Sequence, residues 1–370
     1  MRRAVFSILC MFIGVAAAVV AAEMACRVLP VYAGLQPHPD AAAWPLRAYA
    51  PGKPYAYSFG WAMRHSRRGV TNNYGHIAAH DFRAGSKPVI VVGDSYVESL
   101  MNPHADTLQG LLGERLSGLP VYGLGLSGMS ASDYVVMARL ARREFEPRAA
   151  VFVITDGDFA GNFVPRPGGF HLERRGQTFE PVYTPRSPSR AVQRVREALG
   201  GLALYDYVRG NLKFAPADVF AGLRLSAVTP PAATRPVSAA VAEGIEVVRW
   251  FLDELPSATG AAAQCTVLLL DTDRFALYRP ADASATSDAP QVRRALIEQA
   301  QARGFRVVDL GPPFAAEYAR TRLKLDFWPL DRHWNRQGHS VAADAAAAAL
   351  LSAPQGGRCD AVVEGNGAKP

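Results

Sequence analysis

Charge and cysteine are both scarce in this chain. Asp, Glu, Lys and Arg together make up 20% of its 370 residues, and cysteine occurs four times. Cations outnumber acids by 40 to 33, a formal charge of +7. The excess lies in short groups such as Arg64 with Arg67 and Arg68, Arg142 with Arg143, and Arg174 with Arg175. No long basic helix or aromatic-interleaved stripe is present. Because neutralising a phosphate backbone takes a continuous basic face, nucleic acid is not an expected partner. No internal repeat is found either, which excludes a solenoid. Metal-ligand spacing is also missing: Asp271 and Asp273 with His339 find no convincing third ligand, and a solvated strand-end pair describes the two acids better. What the chain does have is apolar material, 49% of its residues with 9% aromatic, enough for a large core and too much for global disorder.

After Arg2 and Arg3, the run from Ala4 to Ala22 carries no charge and matches the length a bilayer core requires of a helix. Positive residues ahead of it keep the N-terminus cytoplasmic and send everything after Glu23 outward. A cleavable signal peptide is the alternative, since Ala18 to Ala22 supplies small residues, but the run is longer than a usual signal core. Neither Cys10 nor Cys26 follows a Leu three positions earlier, as a lipoprotein signal would require. Cys265 and Cys359 alone lie in the globular part. A disulfide between them suits an oxidising compartment, and two free thiols are equally compatible.

Residues 27–85 are rich in Pro, Tyr, Trp and Ala without a sustained period, and read as a juxtamembrane connector. From Pro88 the pattern changes. Short apolar β-branched runs at Pro88–Gly93, Ala149–Thr155, Cys265–Leu270 and Phe305–Leu310, with a shorter one at Leu119–Leu124, read as strands buried on both faces. Helical patterns at 108–116, 131–143, 237–255, 290–303 and 338–351 lie between them. Strands alternating with helices predict a doubly wound parallel α/β sheet, whose chemistry sits at the carboxyl ends of the strands. The expected layout is an anchor at 1–26, the connector at 27–85, an α/β domain at 86–352 with an insertion at 165–237, and a tail at 353–370. The insertion, which includes a low-complexity stretch at 229–236, reads as a lid or subdomain.

The first strand runs into Gly93-Asp94-Ser95-Tyr96-Val97-Glu98-Ser99. That places the Ser95 hydroxyl where a strand turns into a helix, beside free backbone N–H groups suited to an oxyanion. A Gly-Asp-Ser there also reads as a plain helix cap. Near the other end, Leu330-Asp331-Arg332-His333-Trp334-Asn335 leads into the last helix. A serine nucleophile needs a base, and the base a carboxylate that sets its tautomer; His333 and Asp331 are of the right types and close in sequence. A capping Asp beside a surface His is the alternative. Trp61, Trp250, Trp328 and Trp334 are aromatic enough to stack on sugar rings, and burial explains them equally. Trp334, beside His333, is the best candidate for site lining, as is Asp94 beside Ser95.

Taken together, Lys87–Ser99 and Leu330–His339 resemble the first and last blocks of the SGNH (GDSL-type) hydrolase superfamily, over roughly 72–351. Val121–Tyr134 is similar to the second block and Thr155–Asn162 to the third. The resemblance implies a three-layer flavodoxin-like sheet. It also implies Ser95 as nucleophile, His333 as base and acid, Asp331 as orienter, and an oxyanion hole from the Ser95 and Gly128 N–H groups. The family's third-block Asn aligns with Gly157, and Gly123 replaces another usual Asn; Asn162 is the candidate replacement donor. An N-terminal anchor followed by Asn73-Tyr74-Gly75 also resembles membrane-anchored bacterial members. These features imply a single-pass inner-membrane esterase or O-acyl (acetyl) transferase facing the periplasm or exterior, or secreted if the leader is cleaved. Its substrate would be an ester-bearing envelope or exopolysaccharide carbohydrate, its neighbours envelope assembly proteins, and it would need no cofactor or metal. A non-catalytic scaffold or polysaccharide binder, and a lipase-like esterase on membrane lipids, stay open as alternatives.

Overall fold

A computed structural model describes residues 2–38, 44–186, 190–214, 237–278, 290–352, Cys359 and Val362. Its described residues fall into two units, one of 1–36, 53–70 and 187–232, the other of 37–52, 71–186 and 233–370. The range read as one connector, 27–85, is thus divided between them, and so is the insertion. The reason is non-local: segments far apart in sequence pair with one another, which composition does not reveal.

The smaller unit opens with helix α1 (Arg2–Val28), long and apolar enough to cross a membrane. A hairpin follows, β1 (Pro54–Phe59) paired antiparallel with β2 (Arg64–Val70). Its alternation was missed in the sequence because β2, Arg-His-Ser-Arg-Arg-Gly-Val, carries no apolar face.

The larger unit holds a five-stranded parallel sheet. Its strands are β3 (Val89–Gly93), β4 (Val121–Gly125), β5 (Ala149–Ile154), β8 (Thr266–Leu270) and β9 (Arg306–Asp309), in the order β4-β3-β5-β8-β9. Renumbered within the sheet this is 2-1-3-4-5, the flavodoxin-like winding, which reverses beside β3. Within this unit α2 (Ser95–Glu98), α3 (Leu108–Arg115) and α4 (Ala131–Phe145) follow the first strands. A second hairpin, β6 (Gly169–Arg175) with β7 (Thr178–Thr184), lies inside the range read as a pattern-free insertion. Gly176, at φ +62°, takes the left-handed conformation its tight turn requires. In the smaller unit lie α5 (Arg190–Leu199) and α6 (Ala203–Asp206). The sheet's remaining helices are α7 (Val237–Thr259), α8 (Phe275–Tyr278), α9 (Pro290–Ala302), α10 (Gly311–Thr321) and α11 (Arg336–Leu351).

Every residue of β3, β5 and β8 is buried, as expected for strands covered on both faces. Ile90, Val92, Phe152 and Leu268 pack with α4, α7 and α9, while Val89, Val91, Val151 and Val267 pack with α3, α10 and α11. The alternation along each strand therefore feeds two cores and makes three layers. The low-complexity 229–236 stretch and most of the 353–370 tail lie outside the described residues.

Cys265, just before β8, is bonded to Cys359, 94 positions further on, with a Cα–Cα distance of 4.9 Å. Closing a loop of that length removes about 4–5 kcal/mol of unfolded-chain entropy in the simple chain model. A Cys359→Ser variant is therefore expected to lose about 2–5 kcal/mol of stability in urea titrations, a difference that vanishes when both proteins are reduced.

Candidate functional site

The site begins with a sharp turn. β3 ends at Gly93, and α2 starts two residues later with its first turn pressed against β4. A Cβ on Gly93 would lie 2.6 Å from Val97 Cγ2, and one on the paired Gly125 would lie 2.5 Å from the Glu98 nitrogen. Only glycine permits that approach. Asp94 caps α2, accepting the Tyr96 N–H at 2.9 Å. The Ser95 N–H and the Gly128 N–H donate to no backbone oxygen among the described residues. Gly128 sits at φ +82° in the loop after β4. Its carbonyl accepts from Arg166, whose guanidinium also pairs with the buried Asp133 of α4.

The loop before α11 meets this turn from the far end of the chain. His333 Nε2 lies 2.7 Å from Ser95 Oγ, and its Nδ1 lies 2.5 Å from Asp331 Oδ1. Asp331 Oδ1 also accepts the His333 backbone N–H at 2.9 Å. Since a carboxylate only accepts, the imidazole carries its proton on Nδ1, leaving Nε2 to accept from the serine hydroxyl. A hydroxyl so placed can lose its proton to the ring as it attacks an electrophile.

Not every candidate arrives at this point. Trp334 is fully buried, so it does not line a substrate surface; its indole N–H donates to Asp271 at 2.9 Å and its ring meets Tyr96 and Phe314. Next to an exposed-looking loop, sequence cannot show which side a ring turns to. Asn162 is also kept away. Its amide donates to the Asp158 carbonyl at 2.8 Å, and its oxygen accepts from Ser130 and the Ser132 N–H. It secures the start of α4 rather than offering a free donor. Gly157, by contrast, has open space around a notional Cβ, so packing does not impose the missing side chain there. Gly123 is constrained: a Cβ would lie 2.8 Å from the Gln109 side chain. Asp94 stays beside the site with its carboxyl raised to about 6, chiefly by burial, against the favourable Tyr96 N–H and His333. Burial also raises Asp158, with the Asp94 charge adding to the effect.

Two supporting residues escaped the sequence reading. Arg274, on the loop after β8, is 2% exposed and ion-paired with both Asp271 and Asp326. It also donates to the Arg332 carbonyl at 2.5 Å and to the Tyr96 hydroxyl at 3.3 Å. The Tyr96 hydroxyl donates in turn to the same carbonyl at 3.1 Å, and its ring lies 4.9 Å from the His333 ring. One guanidinium therefore ties the loop that carries His333 to the residue after Ser95. Glu98 is the other: buried, with its carboxyl pushed up by burial, it accepts from the Tyr49 hydroxyl and from Ser127 N–H and Oγ. It joins α2 to the Gly128 loop. The available signal was a charged residue next to apolar strand or helix positions, which costs free energy unless it is paired.

Asp271 is committed to Arg274 and Trp334, and His339 to other partners, so they do not gather as ligands. Among the described residues no group of three His, Cys, Asp or Glu could hold a metal ion. His339 Nδ1 accepts the Leu108 N–H at 3.0 Å, so its proton sits on Nε2 and faces Ser99 Oγ at 2.9 Å. Burial lowers its pKa to about 3. Between that value and the ordinary 6.5 the unfolded chain binds a proton here and the folded one does not, so this residue's contribution falls as pH drops below 6.5. A His339→Asn variant, which keeps the acceptor, should show a shallower loss of stability between pH 6 and 5, by up to about 1.4 kcal/mol per pH unit in urea titrations.

The Gly128 loop borders a cleft of about 250 Å³ that Trp44, Tyr183, Arg166 and Arg186 also line. Tyr96 and Arg332 border a second depression of about 160 Å³, with Asp156 and Asp273.

No family model and no curated protein matches the chain. Solved structures similar to it include an alpha/beta hydrolase enzyme from the metagenome of Lake Arreo, Spain, at 18% identity and TM-score 0.38, covering 73% of this chain and 99% of that one. A putative lipolytic protein of the G-D-S-L family from Desulfitobacterium hafniense aligns at 10% identity and TM-score 0.37, over 71% and 99%. The lipase/acylhydrolase from Enterococcus faecalis aligns at 12% and 0.36, over 70% and 93%.

Proposed function

From a sheet order, a nucleophile turn and an Asp-x-His loop that together resemble those of SGNH hydrolases, we propose that this chain is a serine esterase or O-acyl transferase. The carrying observation is the hydrogen-bonded series Ser95 Oγ, His333 Nε2 and Nδ1, Asp331 Oδ1. In the proposed reaction Ser95 Oγ attacks the ester carbonyl carbon while its proton passes to His333 Nε2. The imidazolium is stabilised by Asp331. The Ser95 and Gly128 N–H groups receive the charge that develops on the carbonyl oxygen. As the tetrahedral intermediate collapses, the C–O bond to the alcohol breaks and His333 returns the proton to that alcohol, leaving an acyl group on Ser95. Water or a sugar hydroxyl then gives its proton to His333 and attacks the acyl carbon; the bond from that carbon to Ser95 Oγ breaks, His333 returns the proton to Oγ, and the acid or the new ester leaves. Ordinary side chains suffice for each step.

With Gly157 and Asn162 supplying no side-chain amide to this hole, the proposed reaction uses the Ser95 and Gly128 backbone donors. One such donor is typically worth about 2.7–4 kcal/mol of transition-state stabilisation, so modest turnover is expected. The further reading places α1 in the bacterial inner membrane, the site outside it, and an O-acylated envelope or exopolysaccharide carbohydrate as substrate. Fluorophosphonate labelling of the full chain tests the nucleophile. Wild type should label and Ser95→Ala should not; equal labelling of the two, or none of either, would sink the enzyme reading and favour a non-catalytic binder. Among active outcomes, turnover that rises with an added acceptor sugar marks a transferase, and preference for long acyl chains marks a lipase.

A further inference from the structure

The small unit carries most of the exposed apolar side chains outside the spanning helix. Beyond α1 and Leu29, the large apolar side chains left exposed are Trp61, Val70, Leu199, Leu202, Leu212 and Phe214 in this unit, against Val164, Leu323 and Leu330 in the rest of the described chain. Trp61, at the tip of the β1/β2 hairpin, is 76% exposed and Phe214 is 44% exposed. Isolated exposed apolar residues are ordinary, but so many in a unit of this size ask for a partner.

Contacts within the unit tie these residues to the exit of α1. Glu23 follows directly on the apolar run, and its carboxylate accepts the Ala203 and Leu204 N–H groups at 3.2 and 2.9 Å, capping α6. The start of α6 therefore lies at the level where the apolar run ends. Further along the same segment, the Tyr207 hydroxyl donates to the Trp61 carbonyl at 2.9 Å, and Asn211 donates to Ser58 Oγ at 2.7 Å. At about 1.5 Å per helical residue, the hairpin tip is held roughly 6–12 Å along α6 and its continuation from the Glu23 cap. Charge agrees with this placement. Residues 23–36, 53–70 and 190–214 contain ten Lys and Arg against three Asp and Glu, and 53–70 contains no acid. Arg64 and Arg68 are exposed on β2 beside Val70.

We infer that the β1/β2 hairpin tip and the Leu199–Phe214 segment form a collar that lies on an anionic phospholipid surface where α1 leaves the bilayer. Trp61 and Phe214 enter the headgroup region, where amphipathic and aromatic rings are favoured, and the arginines meet lipid phosphates. This assignment rests on reading α1 as a retained anchor, and it is independent of the chemistry at Ser95.

The test uses the full chain reconstituted into vesicles of equal parts phosphatidylcholine and phosphatidylglycerol with brominated acyl chains, which quench nearby tryptophan. Of five tryptophans, Trp61 is the one at the proposed depth, so Trp61→Phe should remove most of the quenched emission, about twofold or more, with p-nitrophenyl acetate turnover unchanged. Charge reversal by Arg64→Glu with Arg68→Glu should reduce quenching in the wild-type background. Vesicle-bound protein quenched equally with and without Trp61, or quenching indifferent to the charge reversal, would overturn the collar alone. Protein that fails to co-float with the vesicles would overturn the collar and the anchor reading together.

Discussion

Turnover of p-nitrophenyl acetate by Ser95→Ala is expected to fall about 10⁴-fold or more, with unfolding free energy held within about 1 kcal/mol of wild type. The loss is large because, in the proposed reaction, Ala removes the atom that would carry the acyl group. It is not total because the Ser95 and Gly128 N–H groups and the neighbouring cleft are unchanged. His333→Ala should fall by a similar factor, since an unassisted hydroxyl is a weak nucleophile at neutral pH. The double variant should be no slower than either single one: once the nucleophile is gone, the base has no proton to take, so the two effects do not add. Asp331→Asn should cost about 10²–10⁴-fold, because an amide at 2.5 Å from Nδ1 no longer favours the proton there. Multiplicative loss in the double variant would show that Ser95 and His333 act separately, and the 2.7 Å contact between them would not be the working one.

Arg274→Met should produce the second-largest effect, on stability and turnover at once. It leaves Asp271 and Asp326 buried without their cation, a change that costs about 3–5 kcal/mol when one partner of a buried pair is removed. The same substitution frees the Arg332 carbonyl and the Tyr96 hydroxyl, so the loop carrying His333 loses its tie to the serine turn. We expect kcat to fall about 10²-fold, on the scale of an ångström-sized misplacement, with KM changed little. Arg274→Lys should rescue only part of this, because one ammonium cannot span two carboxylates and two further acceptors. Adding Asp271→Asn and Asp326→Asn to Arg274→Met separates the two roles. Removing the stranded charges should recover stability measured by urea titration while kcat stays low. Recovery of both together would reduce Arg274 to a structural residue.

The parts of the molecule legible in the sequence share a property: their signals come from residues near one another. Pro88–Gly93 and Ala149–Thr155 announced buried strands because β-branched apolar runs suit few other conformations, and β3 and β5 fall inside them. Helices α4, α7 and α9 appeared near their expected bounds, since helical periodicity is likewise local. Missed elements carry weak or contrary local signals. β2 is polar up to its closing Gly69 and Val70, β6 and β7 sit among Pro, Gly and Arg, and α10 opens on Gly-Pro-Pro, which reads as a turn although proline fits a helix's first positions.

The site divides along the same line. Ser95, Asp331 and His333 were legible because a nucleophile turn and an Asp-x-His loop are short motifs whose residue types suit their chemistry. Trp334 and Asn162 were misplaced because type and proximity to a motif do not say which way a side chain turns. Arg274 and Glu98 were passed over because a buried charge is recognisable only once its partners are beside it.

By itself, then, the chain's sequence determined the alternation of buried strands and helices, the apolar N-terminal helix, and the residue types available for acyl chemistry. Only the tertiary structure decided that Ser95 and His333, 238 positions apart, stand 2.7 Å from each other. It alone joined Cys265 to Cys359, split the supposed connector between two units, and spent the Asn162 amide on the start of α4. The physical reason is range. Backbone preference and hydrophobic period act over a few residues, whereas hydrogen-bond partners, burial and charge pairing depend on which distant segments the winding of the sheet brings into contact.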